Sequence, residues 1–468
     1  MAENSSELER LRMDVKVAPI WGAEKGLLAR DIWPHSIVLW VSAFYLALTI
    51  IRPWEELFPA LATIHFERVY ALCMIAVVLL DPNKHFRLSF QTVTVILFTL
   101  AMGVSLDFAQ YFVPAWDRFY EYLTFLVFYF VLILGVRTPY ELMFIVTCYI
   151  VTMAAYLAKA QWEYFFHGAG LYDMGVHRLK GIESRFGSPN SLAMSIVVSL
   201  PIWLCLYSVR KTITNGWPAF WQKWFPRGLM VYLALAVSSI ALTNSRSGML
   251  SFVLFVLLAA LRGRGVQRKL ASLSTGLLLL LLIWLVLPGT QKNRFRTIWD
   301  PEAGPETANV SAQGRIDGYK AGMTMFKRYP ISGVGIGNFK AYRIRYVDGI
   351  ALNPHNLVGQ VLGENGILGG LTFLLMVTAT LVNCRRIRVL ARGRSDLTLQ
   401  VLWRLGQACR DAVILLAFEG VFGHNLRRFN WLWMAAFSAI AVQYATQIIT
   451  TTPEPKPQHN AKGDLQQC

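Results

Sequence analysis

The sequence predicts an all-α, polytopic integral membrane protein with about twelve transmembrane helices. The chain has 468 residues, of which 55% are hydrophobic and only 16% are charged. Its mean hydropathy is +0.42, which is typical of membrane proteins and too high for a soluble domain. Helices are expected because each backbone N–H and C=O in hydrocarbon must find its partner within the chain.

The individual helices are predicted from apolar segments, since about 20 apolar residues cross a bilayer core and somewhat shorter ones remain candidates. The apolar segments begin at about residue 34 and end at about residue 449, and the chain is polar before and after them. The candidate segments are 34–51, 69–80, 88–106, 119–136, 139–158, 190–209, 228–243, 247–261, 270–287, 356–383, 410–426 and 430–449.

The charge pattern orients the predicted bundle. The formal net charge is +17, and Lys and Arg concentrate on alternate connecting segments. By the positive-inside rule these segments face the cytoplasm, and both termini do as well. The basic total therefore reflects topology and contact with anionic membrane lipids, and it does not predict nucleic-acid binding. The six cysteines are scattered, so neither a metal cluster nor a disulfide framework is predicted.

The chain divides into five predicted regions. These are a cytoplasmic N-terminal segment (1–33), a transmembrane bundle of about nine spans with an outer loop at 159–189 (34–287), a large outer loop (288–355), C-terminal spans (356–449) and a disordered cytoplasmic tail (450–468). An ordered loop as long as 288–355 is usually functional. Helical spacing of apolar residues predicts a helix over 313–328, which Pro330 ends. A glycine-rich turn follows, in which Gly335 and Gly337 allow unusual backbone angles.

Five residues on the predicted outer side are candidates for chemistry: Arg178, Arg185, Arg246, Arg315 and His355. The planar guanidinium group of arginine can donate two parallel hydrogen bonds to phosphate oxygens, and a histidine at the start of a helix can act as a base. Each residue also has an ordinary interpretation. Arg246 can extend to the membrane surface, the loop arginines can be solvated charges, and a lone histidine at a helix start is more often structural.

Four motifs of the sequence resemble those of the O-antigen ligase and polymerase superfamily, and they occur in the family order between about residues 178 and 372. The segment Gly318-Tyr319 departs from the family pattern, where a Trp or another large residue is expected. The matching motifs are Arg185-Phe-Gly-Ser-Pro-Asn190, Leu242-Thr-Asn-Ser-Arg246-Ser-Gly248, Gly314-Arg315 through Tyr329-Pro-Ile-Ser-Gly-Val-Gly-Ile-Gly-Asn-Phe339, and His355-Asn356-Leu through Glu364-Asn-Gly366-Ile-Leu-Gly369.

The resemblance implies a glycosyltransferase of the GT-C type in a bacterial inner membrane, with its active site and the 288–355 loop facing the periplasm. The implied donor is a glycan on undecaprenyl pyrophosphate, and the acceptor is lipid A-core or another glycan. The implied mechanism is a single, inverting displacement without a metal or cofactor. The resemblance makes His355 the general base and Asn356 its orienting neighbour, Arg178, Arg185, Arg246 and Arg315 the pyrophosphate ligands, and Glu364 a supporting residue.

Several alternatives stay open at this stage. We favour a ligase, but the same motifs are shared by glycan polymerases, and protein O-oligosaccharyltransferases are a third branch of the superfamily. A transporter of lipid-linked glycans is an alternative of another class, and it should show broken helices and repeat symmetry. Glu419 lies inside a predicted span, where a carboxylate is costly, and the sequence assigns it no partner.

Overall fold

Twelve of the helices in the computed structural model correspond to the twelve predicted apolar segments. The structure describes residues 33–56, 58–86, 88–173, 176–263, 265–286, 289–296 and 307–451. The predicted cytoplasmic segment 1–33 and the predicted tail 450–468 lie almost entirely outside these residues. Of the predicted tail, Thr450 and Thr451 are described, and both belong to the last helix.

The N-terminal half of the described chain contains eight helices and one small sheet. The strands β1 (Leu171–Asp173) and β2 (Val176–Arg178) form an antiparallel hairpin, and a 3₁₀ turn at Ser184–Phe186 follows it. The helices are α1 (Ile37–Ile51), α2 (Ala60–Thr63), α3 (Phe66–Leu80), α4 (Phe90–Asp107), α5 (Phe112–Gly135), α6 (Pro139–Phe166), α7 (Pro189–Ile213) and α8 (Ala219–Thr243).

The C-terminal half adds the helices of the long loop and the last spans. The predicted helix 313–328 is confirmed within a longer helix, and a second loop helix follows the glycine-rich turn. The helices are α9 (Arg246–Leu261), α10 (Val266–Val286), α11 (Gly289–Arg296), α12 (Thr307–Arg328), α13 (Phe339–Tyr346), α14 (Leu357–Ala391), α15 (Leu397–Phe422) and α16 (Phe429–Thr451).

Seven of the described helices are long and apolar enough to cross a membrane: α4 to α8, α14 and α16. Helices α1 and α9 and the stretch Lys269–Leu281 of α10 are apolar but shorter. Helix α15 begins at Leu397, whereas the sequence predicts a start at 410, because Gln400, Arg404 and Gln407 interrupt the apolar pattern before that point. A polytopic, mainly helical membrane protein is therefore confirmed.

Helix α14 is broken at Gly366, which adopts φ 61° and ψ −159°. The glycine-rich turn forms backbone hydrogen bonds with the residues on both sides of the break. The N–H groups of Val334 and Gly335 donate to the carbonyls of Gly363 and Glu364 at 2.9 and 3.1 Å, before the break. After it, the N–H groups of Ile367 and Leu368 donate to the carbonyls of Pro330 and Ile331 at 2.8 and 3.3 Å. The turn therefore supplies the partners that an interrupted helix lacks.

Gly335 and Gly337 support this arrangement, as the sequence predicts. Their φ angles are 104° and 74°, a region that side chains with a Cβ rarely adopt. A Cβ on Gly335 would lie 2.6 Å from the Cα of Ala109, so the close approach to α4 also requires glycine.

Candidate functional site

Two pairs of glycines bring α12 against the beginning of α14. A Cβ on Gly318 would overlap the carbonyl oxygen of Pro354, and a Cβ on Gly322 would lie 2.7 Å from the Cα of Gly359. Across the contact, a Cβ on Gly363 would lie 3.2 Å from the Cα of Gly322. Both pairs have four-residue spacing, so they share one helix face and let the backbones meet directly. This explains the departure at Gly318, where a large side chain would separate the two helices.

The candidate base, His355, lies where this contact ends, two residues before α14. Its φ of 47° places it in the left-handed region, which is uncommon for a residue with a side chain. Burial lowers the pKa of its imidazole, and the positive charges of Arg315 and Arg343 lower it further. His355 is therefore neutral at physiological pH and able to accept a proton.

Asn356 is the N-cap of α14. Its side-chain oxygen accepts a hydrogen bond from the N–H of Gly359 at 2.9 Å, and its amide group donates to the carbonyl of Val421 at 3.5 Å. These bonds fix the start of α14 against the end of α15. Asn356 therefore orients His355 through the backbone, since its side chain is engaged in capping.

Arg315 approaches His355 from α12. Its guanidinium carbon lies 5.6 Å from the ring centre of Phe422 at the end of α15, a cation–π arrangement. Burial lowers the pKa of Arg315, and the carboxylate of Glu419 acts in the opposite direction. Glu419, which the sequence left without a partner, lies beside Ser251 and within electrostatic reach of Arg315 and Arg428.

Arg185 and Arg428 form a second basic centre. Arg428 donates to the backbone carbonyl of Arg185 at 3.1 Å and also hydrogen bonds the hydroxyl of Ser191. The guanidinium carbon of Arg185 lies 4.6 Å from the ring centre of Phe125. Within the described part of the chain, its Nε and Nη1 are buried without a hydrogen-bond partner. Burial and the neighbouring Arg52 hold the pKa of Arg185 below its usual value.

Glu121 of α5 lies within electrostatic reach of three arginines: Arg185, Arg427 and Arg118. Arg118 contacts it at 3.2 Å. Arg427 lies 3.8 Å from the carboxylate of Glu364, and its Nη1 is buried without a hydrogen-bond partner among the described residues. The carboxylate of Glu364 therefore faces an arginine, and its supporting role stays a prediction. The surplus of guanidinium groups over carboxylates makes this end of the bundle electropositive.

Arg246 begins α9, and Arg178 of β2 contacts the end of α8 next to it. Arg246 is the first residue of α9 and is half-buried, and Ser245 caps the helix by accepting from the N–H of Gly248 at 3.2 Å. Arg178 is only 3% exposed. It donates from Nε to the carbonyl of Thr243 at 2.9 Å and from Nη2 to the side chain of Asn190 at 3.0 Å. Arg178 therefore ties the β-hairpin and α7 to the loop that presents Arg246.

Sequence reasoning missed the turn between α15 and α16, which contributes His424, Arg427 and Arg428. The rings of His424 and His355 lie 5.1 Å apart between centroids, at an interplanar angle of 68°. Burial and the charge of nearby groups lower the pKa of His424 to about 3. One signal was present in the sequence: the tripeptide His-Asn-Leu occurs at 355–357 and again at 424–426.

The described residues contain no group of three or more His, Cys, Asp or Glu side chains arranged to hold a metal ion. The prediction of a reaction without a metal stays a prediction. What the arrangement offers is a neutral imidazole beside several guanidinium groups, a combination suited to deprotonating a nucleophile next to a bound anion.

Comparison with known proteins gives one match. Residues 231–374 match the family model described as O-antigen ligase, a segment that contains Arg246, Arg315, His355 and Glu364. Searches of curated proteins and of solved structures find no match. The matched segment confirms the resemblance to the O-antigen ligase and polymerase superfamily that the sequence motifs show.

Proposed function

We propose that this protein is a bacterial inner-membrane glycosyltransferase that transfers a glycan from undecaprenyl pyrophosphate to a sugar acceptor at the periplasmic face. The observation that carries the proposal is the neutral, half-buried His355 beside Arg315, within the segment that matches O-antigen ligases. In this proposal the fold is of the GT-C type, about twelve helices cross the membrane and both termini are cytoplasmic.

The reaction needs a base for the acceptor hydroxyl and a stabilised leaving group. His355 takes the hydroxyl proton while the oxygen attacks the anomeric carbon, the bond from that carbon to the pyrophosphate oxygen breaks, and the anomeric configuration inverts. Pyrophosphate leaves with its negative charge, so guanidinium groups positioned beforehand lower the barrier. In this proposal they do so without a metal.

Different observations support each arginine as a ligand of the pyrophosphate. Arg315 lies beside the base, and Arg185 and Arg427 each carry buried N–H groups without a hydrogen-bond partner among the described residues. Such groups are costly unless a ligand satisfies them. Arg246 is assigned by its motif and its half-buried position at the start of α9. Arg178 is proposed as a weaker donor ligand because two of its nitrogens already bond protein oxygens.

The broken helix α14 bears on the transporter alternative. Discontinuous helices in transporters expose backbone groups that coordinate substrate or ions. Here the Gly363, Glu364, Ile367 and Leu368 backbone groups at the break are bonded to the glycine-rich turn. The break therefore anchors a loop, which favours the transferase over the transporter. Within the superfamily we propose a ligase acting on lipid A-core, with a polymerase and a protein O-oligosaccharyltransferase as the alternatives.

The proposal is tested with purified protein in nanodiscs, a lipid-linked glycan donor and lipid A-core acceptor. His355→Ala should abolish transfer and leave binding of a short polyprenyl pyrophosphate intact. Arg315→Ala should weaken that binding, because a charge-assisted contact is worth roughly 1.5–3 kcal/mol, or at least tenfold in affinity. Arg345→Ala, which removes an exposed arginine of α13, is the matched control and should change neither.

Two outcomes would contradict the proposal. Parental transfer by folded His355→Ala protein would exclude His355 as the base. Parental pyrophosphate affinity in Arg315→Ala would remove Arg315 from the donor site. Joining of single repeats into polymers, with no transfer to lipid A-core, would instead favour the polymerase.

A further inference from the structure

Asn356 orients His355 only through the backbone, which leaves the direction of the imidazole ring itself to another group. Catalytic imidazoles are usually held by a group that hydrogen bonds the ring nitrogen not facing the substrate. Asn356 does not fill this role, because its side chain bonds Gly359 and Val421. The nearest ring to His355 is His424, whose centroid lies 5.1 Å away.

The two rings are T-shaped, and their centroid separation of 5.1 Å is short enough for a hydrogen bond between ring nitrogens after a rotation of the rings. A hydrogen bond of about 2.9 Å between edge nitrogens of two imidazoles places the ring centroids roughly 5 Å apart. Rotation of either ring about its χ2 bond changes which edge atoms face each other while the centroids stay close. The Nδ1 atom of His424 is buried and has no hydrogen-bond partner among the described residues. An unmatched buried nitrogen of this kind is uncommon and calls for a role.

The surroundings keep the imidazole of His424 neutral and able to accept a hydrogen bond. Its pKa of about 3 results first from burial, then from His355, Arg427, Arg428 and Arg118. Arg427 and Arg428 come from the same turn and Arg118 comes from α5. His355 is in turn faced by Arg315 of α12 and Arg343 of α13. A second positive charge on His424 would be repelled from all sides, so the neutral ring keeps a lone pair available.

We propose that His424 is the positioning residue of the base, accepting a hydrogen bond from the N–H of His355 that does not face the acceptor. This inference rests on the proposed function of His355. When His355 takes the acceptor proton, the resulting imidazolium donates to the lone pair of His424, and no second proton transfer occurs. The turn between α15 and α16 thereby fixes the tautomer and the direction of the base.

The test compares His424→Phe, which keeps an aromatic ring against His355 but removes both nitrogens, with His424→Asn, whose amide can accept a hydrogen bond. His424→Phe should lower kcat about tenfold, because a hydrogen bond to a charged group is lost, while KM for the acceptor and affinity for a short polyprenyl pyrophosphate stay unchanged. His424→Asn should recover part of kcat.

The pH profile separates positioning from packing. Loss of the hydrogen-bond acceptor at position 424 destabilises the imidazolium form of His355. The acidic limb of the pH profile of kcat/KM should therefore move down by about one pH unit in His424→Phe. Parental kcat and an unmoved limb in His424→Phe would overturn the inference, as would equal loss of donor affinity. If His424→Phe does not fold, His424→Asn with a partly reduced kcat and parental donor affinity supports the inference, and a folded His424→Asn with either no activity or a fully parental kcat opposes it. His355→Ala in the same assay is decisive for the base: if it stays active, the proposed function fails rather than this inference alone.

Discussion

The contact between α12 and α14 can be tested with a single methyl group. In Gly322→Ala the added Cβ would lie 2.7 Å from the Cα of Gly359 and 2.8 Å from its carbonyl carbon. Ordinary contacts between carbon atoms are about 3.5–4.0 Å, so the helices must separate locally by about 1 Å. Overpacking of this kind costs about 1–3 kcal/mol, and the better helix propensity of alanine offsets about 1 kcal/mol.

The effect on activity should exceed the effect on stability. Arg315 lies on the same helix face as Gly322, two turns earlier, and a displacement of 1 Å between catalytic groups can lower a rate about 10²-fold. Gly322→Ala should therefore retain its helical circular dichroism and lose transfer about 100-fold. Gly314→Ala is the matched control, since a Cβ there meets nothing within 4 Å among the described residues. Parental rates in Gly322→Ala, or an equal loss in Gly314→Ala, would refute the reasoning.

Three further predictions concern stability. Gly366→Ala should destabilise the protein by about 3 kcal/mol in detergent-induced unfolding, because its φ of 61° and ψ of −159° are confined to glycine; an unchanged midpoint would contradict the required break. Asp411→Ala should lower the free energy of unfolding by about 3–5 kcal/mol, because the buried guanidinium of Arg262, 2.6 Å from the Asp411 carboxylate, loses its ion-pair partner. The double variant Asp411→Ala/Arg262→Met should recover part of this loss, and an equal loss in the double variant would contradict the reasoning. The hydrogen bond from Arg343 holds the pKa of the Asp348 carboxyl below its usual value. The pair therefore stabilises the folded protein fully at pH values above the unfolded pKa of about 3.9, and this contribution is lost as the pH falls through the lower pKa of the folded state. Unfolding midpoints measured from pH 7 down to pH 3 should converge between the parent and Asp348→Asn, and a constant difference would oppose this assignment.

Much of the fold follows from hydropathy alone. Each predicted segment coincides with most of a helix or with part of a longer one, because a continuous apolar run has no other way to satisfy its backbone in hydrocarbon. The helix ends were harder to predict. Helix α15 starts at Leu397, but hydropathy detects it only from about residue 410, because Gln400, Arg404 and Gln407 interrupt the apolar pattern of its first half. The β-hairpin at 171–178 is too short to give a periodic signal.

The candidate site was predicted in part. Motifs placed Arg185, Arg246, Arg315 and His355 in one family pattern, and the structure brings Arg315 to the base. His424 escaped notice because a histidine in a short turn carries no motif of its own. Only the packing of the α15–α16 turn against the start of α14 makes it a neighbour of His355, although the repeated His-Asn-Leu was visible.

The sequence by itself was enough to establish the membrane class and the helices and to single out His355 as the candidate base, because hydropathy and motifs depend on residues close in sequence. The partners of those residues depend on long-range contacts. The backbone approach at Gly318 and Gly322, the repair of α14 by a turn about thirty residues earlier, and the meeting of His355 with His424 all join distant segments. Their energies come from close packing and hydrogen bonds that exist only once the helices have assembled.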